Sequence, residues 1–232
     1  MKALVIVPTY NERENIGPLA EAILQHDGVG LLVVDDASPD GTGQAADALR
    51  QRFPGRVDVL HRTANRGFGR SYIDGIHHAL AGPAPFICQM DADFSHDPAR
   101  LPALIGAAEH ADVVIGSRYV EGGAIRNWTK RRLLLSRFAN FYVRALTRIA
   151  ARDCTSGYRC WRRDALSSLP LDRFVSDGYA FLVEMLFQAS RQGRRIAEVP
   201  ITYEERREGQ SKMSRAVILE SAITPWRLIA RR

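Results

Sequence analysis

The sequence predicts an α/β fold: a mainly parallel sheet flanked by helices, followed by a basic, amphipathic helical region. Two observations support this prediction. Over residues 1–118, short apolar runs alternate with stretches of helical period, the pattern of strand–helix–strand crossovers. After residue 118 the alternation stops and basic residues become frequent. We therefore expect a single domain over 1–232, with one half at 1–118 and the other at 119–232.

The apolar runs are predicted as buried strands because each is short, rich in Val, Ile and Leu, and bounded by polar residues. They cover 4–7, 31–34, 57–60, 86–90 and 113–115. Helices are predicted over 14–25, 43–53, 67–80, 98–109, 130–150 and 179–191, with a late strand at 196–203 and a short amphipathic tail with basic ends at 213–232. Because ligands bind beyond the carboxyl ends of parallel strands, the polar residues that follow these strands should form one binding rim.

The composition is that of a globular protein, with 232 residues, 46% hydrophobic and 25% charged. No apolar run is long enough to span a membrane, and the first apolar stretch indicates a strand rather than a signal peptide. The three cysteines are odd in number and lack metal-site spacing, which predicts reduced thiols in a cytosolic protein. The net charge of +6 favours an anionic partner, although a solvated basic surface explains it equally well.

The segment QMDADFSHDP, residues 89–98, carries the strongest chemical signal. Asp91 and Asp93 follow a predicted buried strand, where two carboxylates can ligate a divalent cation and leave its other positions open. Mg²⁺ in particular combines few protein carboxylates with substrate phosphates, so we favour a metal site over a solvated turn. His96 either orients this motif or caps the helix that begins near Pro98.

Three functions compete for this motif. The first is a nucleotide-sugar transferase, in which a metal bridges the motif and a diphosphate leaving group. The second is an aspartyl-phosphate phosphatase, because residues 91–95 faintly resemble the nucleophile motif of the haloacid dehalogenase family; here, however, the motif follows the fourth strand rather than the first. The third is a dinucleotide binder, suggested by the glycines of residues 41–46. Those glycines do not directly follow their strand, so a helix start is the better interpretation.

Other segments support the first function. VPTYNERENI, VVDDASPDGTG, RTANRGFGRSYIDGI, VIGSRYVEGG and VPITYEERREGQSKMS, together with QMDADFSHDP, resemble the family-2 glycosyltransferases. GGAIRNWTKRRLLLSRFAN and DCTSGYRCWRRDAL are similar to the dolichol-phosphate and polyprenol-phosphate mannose synthases within that family. The resemblance spans residues 3 to 215, nearly the whole chain.

This resemblance implies a GT-A fold, which is Rossmann-like, with a nucleotide-sugar-binding half and an acceptor-side, membrane-facing half. It implies Mg²⁺ or Mn²⁺ as cofactor and a polyprenyl or dolichyl phosphate as acceptor. GDP-mannose is the favoured donor, with UDP-glucose or UDP-GlcNAc as alternatives. We expect no nucleic-acid partner. The enzyme is expected to be peripheral on the cytoplasmic face of a membrane, where a separate membrane-anchor subunit is a further possible partner.

The resemblance also assigns residues. Asp91 and Asp93 match the metal motif, and Ser95 occupies the place where some relatives carry Gln as a further metal ligand. Arg206 and Lys212 match a loop that closes over the phosphates of the donor. The full set of donor-binding matches is Pro8, Tyr10, Glu12, Val33, Asp35, Asp91, Ala92, Asp93, Arg118, Arg206 and Lys212.

The acceptor explains why no catalytic base is evident. A phosphomonoester has a second pKa of about 6, so its attacking oxygen is already anionic near neutral pH. It needs a cationic cradle, for which the candidates are Arg131, Arg132, Ser136 and Arg137, with Arg118 near the donor phosphates. Among these candidates we choose Arg131 and Ser136. With Arg118, Asp91 and Asp93, these complete the predicted catalytic set. Taken alone, the apolar face of helix 130–150 favours core packing; a lipid acceptor would let that face rest at a bilayer surface. The apolar face carries Leu134, Phe138, Phe141, Ala145 and Ile149.

Overall fold

The computed structural model describes residues 1–64, 66–174, 176, 178–204 and 215–230. Within them, seven strands form the main sheet and two short strands pair separately. The main-sheet strands are β1 (Ala3–Thr9), β2 (Val29–Asp35), β3 (Val57–His61), β4 (Phe86–Gln89), β5 (Val113–Ser117), β7 (Arg159–Arg162) and β8 (Ile196–Pro200). The separate pair is β6 (Ala124–Ile125) and β9 (Thr202–Tyr203).

Six of the helices follow the predicted order, whereas those at 163–167 and 215–230 were not predicted as helices. The helices are α1 (Arg13–Leu24), α2 (Thr42–Arg52), α3 (Phe68–Ala81), α4 (Leu101–Ala107), α5 (Lys130–Thr147), α6 (Arg163–Ser167), α7 (Gly178–Arg191) and α8 (Arg215–Ala230). The glycines at 41–43 start α2, as the sequence indicates, with Gly41 as the residue before the helix and Asp40 accepting hydrogen bonds from Thr42. No helix within the described residues is long and apolar enough to cross a bilayer.

The strand order is β3-β2-β1-β4-β7-β5-β8. All neighbours are parallel except β7, which runs antiparallel between β4 and β5. Helices cover both faces of the sheet, so its central strands are apolar on both sides. One core contains side chains from α1, α2 and α4, and the other contains side chains from α3, α5, α7 and α8.

The structure differs from the sequence prediction at β7, β8 and β9, and the two-residue strand β6 was not predicted either. The late strand predicted over 196–203 is divided into β8 and β9, which belong to different sheets. Strand β7 was not predicted, and its four residues include two arginines. One of them, Arg159, is nevertheless fully buried and donates hydrogen bonds to three backbone carbonyls.

The prediction of a core-facing apolar stripe on α5 is wrong for most of its residues. Leu134, Phe138 and Phe141 are 70%, 60% and 66% exposed. The buried face instead carries Asn140, Val143 and Thr147, and Ile149 beyond the helix end is also buried. The polar members of that face find partners inside the protein: Asn140, for example, accepts a hydrogen bond from the backbone N–H of residue 154.

Candidate active site

The carboxyl ends of β1, β2 and β4 lie side by side and form the predicted rim. Just beyond each end stands a residue other than glycine with left-handed backbone: Asn11 (φ 59°), Ala37 (φ 54°) and Phe94 (φ 59°). Such conformations cost free energy and cluster at ligand sites, where the surrounding structure holds them in place. The backbone therefore independently marks the same edge that the sequence predicts.

The predicted donor-binding residues of the first strand surround this rim. Pro8 is partly buried near the end of β1. The guanidinium of Arg66 lies 5.4 Å from the centre of the Tyr10 ring, which holds the loop after β3 against the loop after β1. The backbone N–H of Glu12 donates to Thr42 Oγ1 at 2.9 Å, which links the start of α1 to the start of α2.

Asp35 ends β2 and is buried at the rim. Its carboxylate accepts hydrogen bonds from Thr9 Oγ1 and from the backbone N–H of Ser38. A Cβ at Gly43 would lie 3.0 Å from Asp35 Oδ2, so a glycine lets α2 begin close against this carboxylate. Val33 lies two residues earlier, and its side chain is fully buried in the core beneath the rim.

Arg62 is a buried cation at this edge that the sequence did not single out. Its guanidinium donates to the carboxylates of Asp36 and Asp74 and to Ser71 Oγ. Asp36 also accepts the backbone N–H of Gly67 at 3.0 Å. Asp36 therefore holds the loop after β3 in place through hydrogen bonds with Arg62 and Gly67.

The Asp91–Asp93 motif has the donor set that a divalent cation requires. Asp93 is buried and accepts the N–H of Ser95 at 3.0 Å, whereas the Asp91 side chain is 24% exposed. Ser95 Oγ is buried and has no hydrogen-bond partner within the described residues. No group of three His, Cys, Asp or Glu that could hold a metal exists among those residues. Two carboxylates and one buried hydroxyl fit a cation that shares its coordination with substrate phosphates.

His96 contacts this motif directly. Its Nδ1 accepts the backbone N–H of Asp91 at 3.1 Å. The cap of the helical turn at 98–100 is supplied by Asp97, which accepts the N–H of Ala99. Of the two roles the sequence left open, His96 therefore has the orienting one. Burial lowers the pKa of His96, with Asp91 and Asp93 opposing that effect.

A cavity of about 440 Å³ begins at the motif and extends between α5, α7 and α8. Its two ends differ in chemistry. The end near the rim is lined by charged and polar side chains: Asp91, His96, Arg118, Arg132 and Ser136. The far end is mostly apolar, and its lining includes Leu135, Phe138, Val143, Val183 and Ala222. A ligand with a polar head and an apolar tail matches the two ends of this cavity.

Arg118 is anchored at the polar end by Asp153. The carboxylate accepts Nε and Nη2 of Arg118 at 2.7 Å each, as well as its backbone N–H. Both side chains are buried. Burial alone would lower the pKa of Arg118, but the charge and hydrogen bonds of Asp153 outweigh it and raise that pKa. Likewise, burial would raise the pKa of Asp153, but Arg118 holds it below its usual value. The pair is therefore charged at neutral pH.

Aromatic rings surround this guanidinium. The Arg118 Cζ lies 5.4, 5.8 and 5.5 Å from the ring centres of Tyr119, Trp128 and Tyr203. The guanidinium of Arg132 lies 4.0 Å from the centre of the Trp128 ring. Trp128 was not among the residues predicted for the site. In the structure it stands between two arginines of the polar end.

The structure places Arg132, rather than Arg131, at the cavity. Arg131 is exposed and does not line it. Ser136 does line the cavity, and its Oγ accepts the hydroxyl of Tyr119 at 2.8 Å. Arg131 and Arg132 are neighbours on α5 and so point about 100° apart, which explains why sequence alone could not separate them. Arg206 and Lys212, predicted to close over the donor, lie outside the described residues.

Comparisons with known proteins identify the class. The Glycosyl transferase family 2 profile matches residues 4–169. Undecaprenyl-phosphate mannosyltransferase of Micrococcus luteus is 45% identical over 237 aligned positions, covering 100% of this chain and 96% of that relative. Polyprenol monophosphomannose synthase of Mycolicibacterium smegmatis is 46% identical over 223 positions, covering 95% of this chain and 84% of that relative. The chain belongs to glycosyltransferase family 2 and is a glycosyltransferase.

The fold is similar to that of solved glycosyltransferases. Glucosyl-3-phosphoglycerate synthase from Mycobacterium tuberculosis, in complex with Mn²⁺, UDP and glucosyl-3-phosphoglycerate, superposes with a TM-score of 0.69. The match covers 99% of this chain and 77% of that chain at 22% identity. The predicted GT-A-like architecture is therefore confirmed.

Proposed function

We propose that the protein transfers mannose from GDP-mannose to a polyprenyl phosphate, releasing GDP. The observation that carries this proposal is the cavity with two chemically different ends. Its polar end joins the Asp91 motif to Arg118, Arg132 and Ser136, which are suited to bind a phosphate, and its other end is apolar. A polyprenyl phosphate has the same two-part chemistry. The proposal is supported by the two curated relatives, whose names specify mannose transfer to undecaprenyl phosphate and polyprenol phosphate.

The donor is proposed to lie along the rim of β1, β2 and β4. Tyr10, Glu12 and Asp35 surround the place for the base and ribose, and the motif of Asp91, Ala92 and Asp93 faces the diphosphate. When bound there, Mg²⁺ or Mn²⁺ supplies positive charge that stabilises the diphosphate leaving group. Asp91 and Asp93 are the residues that would hold it, with Ser95 beside them.

The acceptor phosphate is proposed to lie against Arg118, Arg132 and Ser136. Arg118 is fixed by Asp153, so it offers positive charge without having to reorganise when the ligand arrives. A phosphate oxygen attacks the anomeric carbon from the face opposite the leaving group. The new carbon–oxygen bond forms as the bond to the β-phosphate breaks, and the configuration inverts. The attacking oxygen carries no proton, so no residue has to act as general base.

Membrane association is proposed from an exposed apolar surface, which we call the α5–α8 patch: Leu134, Leu135, Phe138, Phe141, Ile223 and Trp226. Each of these side chains is 38% to 70% exposed. The patch borders the apolar end of the cavity, since Leu135 and Phe138 belong to both. Basic residues Arg131, Arg137 and Arg144 stand on the same helix and suit an anionic lipid surface.

The alternatives are less well supported by the same geometry. An aspartyl-phosphate phosphatase needs no apolar passage beyond its phosphate pocket. A non-catalytic membrane module needs no buried carboxylate pair at the rim. Another nucleotide sugar, such as UDP-glucose or UDP-GlcNAc, would preserve the whole mechanism and change the contacts of the base, near Tyr10 and Asp35, and those of the sugar.

The test is a donor panel. The purified protein is incubated with Mn²⁺, a short polyprenyl phosphate and, separately, GDP-mannose, UDP-glucose and UDP-GlcNAc, and glycosyl-phosphoryl lipid is measured by mass spectrometry. We expect product from GDP-mannose only. Product from a UDP sugar alone would overturn the donor and keep the reaction. Phosphate release from the lipid without any donor would instead support a phosphatase.

A further inference from the structure

His96 stands between the Asp91 motif and the acceptor cavity, and the protein uses only one of its ring nitrogens. Nδ1 accepts the backbone N–H of Asp91 at 3.1 Å. No hydrogen bond joins Nε2 to any described residue, although the side chain is only 2% exposed and lines the cavity. A polar group at such a position requires a partner when water is displaced.

The hydrogen bond to Asp91 also decides which nitrogen carries the proton. A nitrogen that accepts an N–H has no proton of its own, so the neutral ring of His96 holds its proton on Nε2. Nε2 of His96 therefore offers an N–H toward the cavity.

Packing fixes the direction of the ring. Tyr158 stacks on His96 with ring centres 5.0 Å apart and an angle of 21°, and Tyr203 meets it edge-on at 5.9 Å. Tyr158 is itself held, because its hydroxyl donates to the carbonyl of Asp97 at 3.0 Å. On another side, a Cβ at Gly157 would lie 3.5 Å from Cε1 of the His96 ring. These contacts hold the imidazole ring in one orientation and oppose a ring flip that would exchange the positions of Nδ1 and Nε2.

We propose that His96 binds the acceptor phosphate through Nε2–H while its Nδ1 holds the backbone of Asp91 in place. The same ring then couples the position of the metal motif to the position of the attacking phosphate. Arg118, Arg132 and Ser136 line the same end of the cavity, so a phosphate within reach of them is also beside His96. The assignment of the ligand as an acceptor phosphate rests on the proposed function.

Two substitutions separate the two nitrogens. In His96→Asn, the amide oxygen stands near the position of Nδ1 and still accepts the N–H of Asp91, but nothing replaces Nε2. In His96→Gln, the longer amide places an N–H near the position of Nε2, and the acceptor at Nδ1 is lost. His110→Asn changes an exposed histidine far from the motif and serves as the matched control.

The readouts are the Mn²⁺ dissociation constant in the presence of GDP, measured by electron paramagnetic resonance, and the KM for geranyl phosphate. We expect His96→Asn to keep Mn²⁺ affinity within about twofold and to raise that KM about tenfold. We expect His96→Gln to weaken Mn²⁺ binding about tenfold, since partners that orient metal ligands have effects of this size, and to change KM less. The His110→Asn control should match the wild type in both measurements.

If both variants lost Mn²⁺ affinity equally and raised the KM for geranyl phosphate equally, with both folded by circular dichroism, His96 would only pack and the proposal would be overturned. Wild-type behaviour of both variants would overturn it as well. If the wild type makes no product from any donor, the proposed function fails on its own. The Mn²⁺ titrations of the two variants would still test the hydrogen bond from Asp91 to Nδ1.

Discussion

Asp153 forms a buried ion pair with Arg118, and this pair contributes to the stability of the fold as well as to the position of Arg118 in the cavity. Replacing Asp153 by Asn removes a charge and leaves Arg118 buried without its counterion. Breaking a buried pair in this way costs about 3–5 kcal/mol of folding free energy. We expect urea denaturation to show a loss of this size. Glu21→Gln, which breaks the exposed pair with Arg52, should cost less than about 1 kcal/mol.

The same pair gives a pH dependence whose sign is set by the lowered pKa of Asp153. Unfolded Asp has a pKa of about 3.9, and the folded value lies below it. The stability that the ionised carboxylate contributes is therefore fully present above about pH 4 and is lost as pH falls toward the folded pKa. The stability difference between the wild type and Asp153→Asn should be constant from pH 5 to 7 and narrow below about pH 4. A difference that widened in acid would contradict this assignment.

The neighbouring arginines of α5 offer a matched pair of variants. Arg132→Gln removes a charge that lines the cavity, and Arg131→Gln removes one that faces solvent. With geranyl phosphate in detergent-free solution, we expect Arg132→Gln to raise KM for the acceptor at least tenfold, because a hydrogen bond to a charged group is worth about 1.5–3 kcal/mol. Arg131→Gln should stay within about threefold. The reverse result would restore Arg131 as the acceptor ligand.

At the scale of elements, the sequence predicted strands and helices wherever the pattern is local. The alternation of apolar runs indicated β1 to β5 and the helices between them because each signal lies within one short window. Strand β7 was not predicted because its residues form a strand only by pairing with β4 and β5, which are distant in sequence. The burial of Arg159 depends likewise on carbonyls of the turn at 154–156 and of α7, which no local pattern reveals.

The sequence correctly predicted that the apolar residues of α5 share one face. Its prediction that this face packs in the core was wrong. Period alone cannot say what an apolar face packs against, because a core and a membrane present the same chemistry. In the structure, Asn140 and Thr147 lie on the buried face of α5, where they form hydrogen bonds, and Leu134 and Phe141 are exposed.

This exposure predicts a membrane phenotype. The double variant Leu134→Ser, Phe141→Ser removes two of the most exposed side chains of the α5–α8 patch, neither of which lines the cavity. Burying each original side chain in lipid is worth about 1.5–3 kcal/mol, so binding to vesicles with anionic lipid should fall at least tenfold. Turnover of geranyl phosphate in solution should remain within about twofold of the wild type. High salt should weaken the residual binding further, because the arginines of α5 would still contribute.

At the scale of the whole molecule, the site is assembled from both halves of the chain. Residues before 118 supply the rim and the Asp91 motif, and residues after it supply most of the acceptor cavity, whose polar end also includes Asp91, His96 and Arg118. Strand β7 joins them: it pairs with β4 just before the motif, and the turn that leads into it carries Asp153 to Arg118. The sequence indicated the rim because strand ends are local features. It could not show the cavity, whose walls come from α5, α7 and α8.

Because the donor side is built into the central sheet, ligand binding there should stabilise the entire fold. A ligand at 100 times its dissociation constant adds about 2.7 kcal/mol to the stability of the native state. For a domain of this size, 1 kcal/mol raises Tm by about 2–4 °C, so GDP with Mn²⁺ should raise Tm by about 5–10 °C. GDP with a chelator in place of Mn²⁺ should give a much smaller increase.

Asp91→Asn tests whether the Tm increase with GDP and Mn²⁺ depends on metal binding by the Asp91 motif. The substitution keeps the shape of the side chain and removes the negative charge, so the variant should fold and lose the Mn²⁺-dependent part of the Tm increase together with donor turnover. Asp47→Asn, at a partly exposed carboxylate on α2 away from the motif, should retain both. If Asp91→Asn kept the full increase and full turnover, the metal would have to bind elsewhere in the chain. If it kept the increase alone, Asp91 would act in turnover without holding the metal.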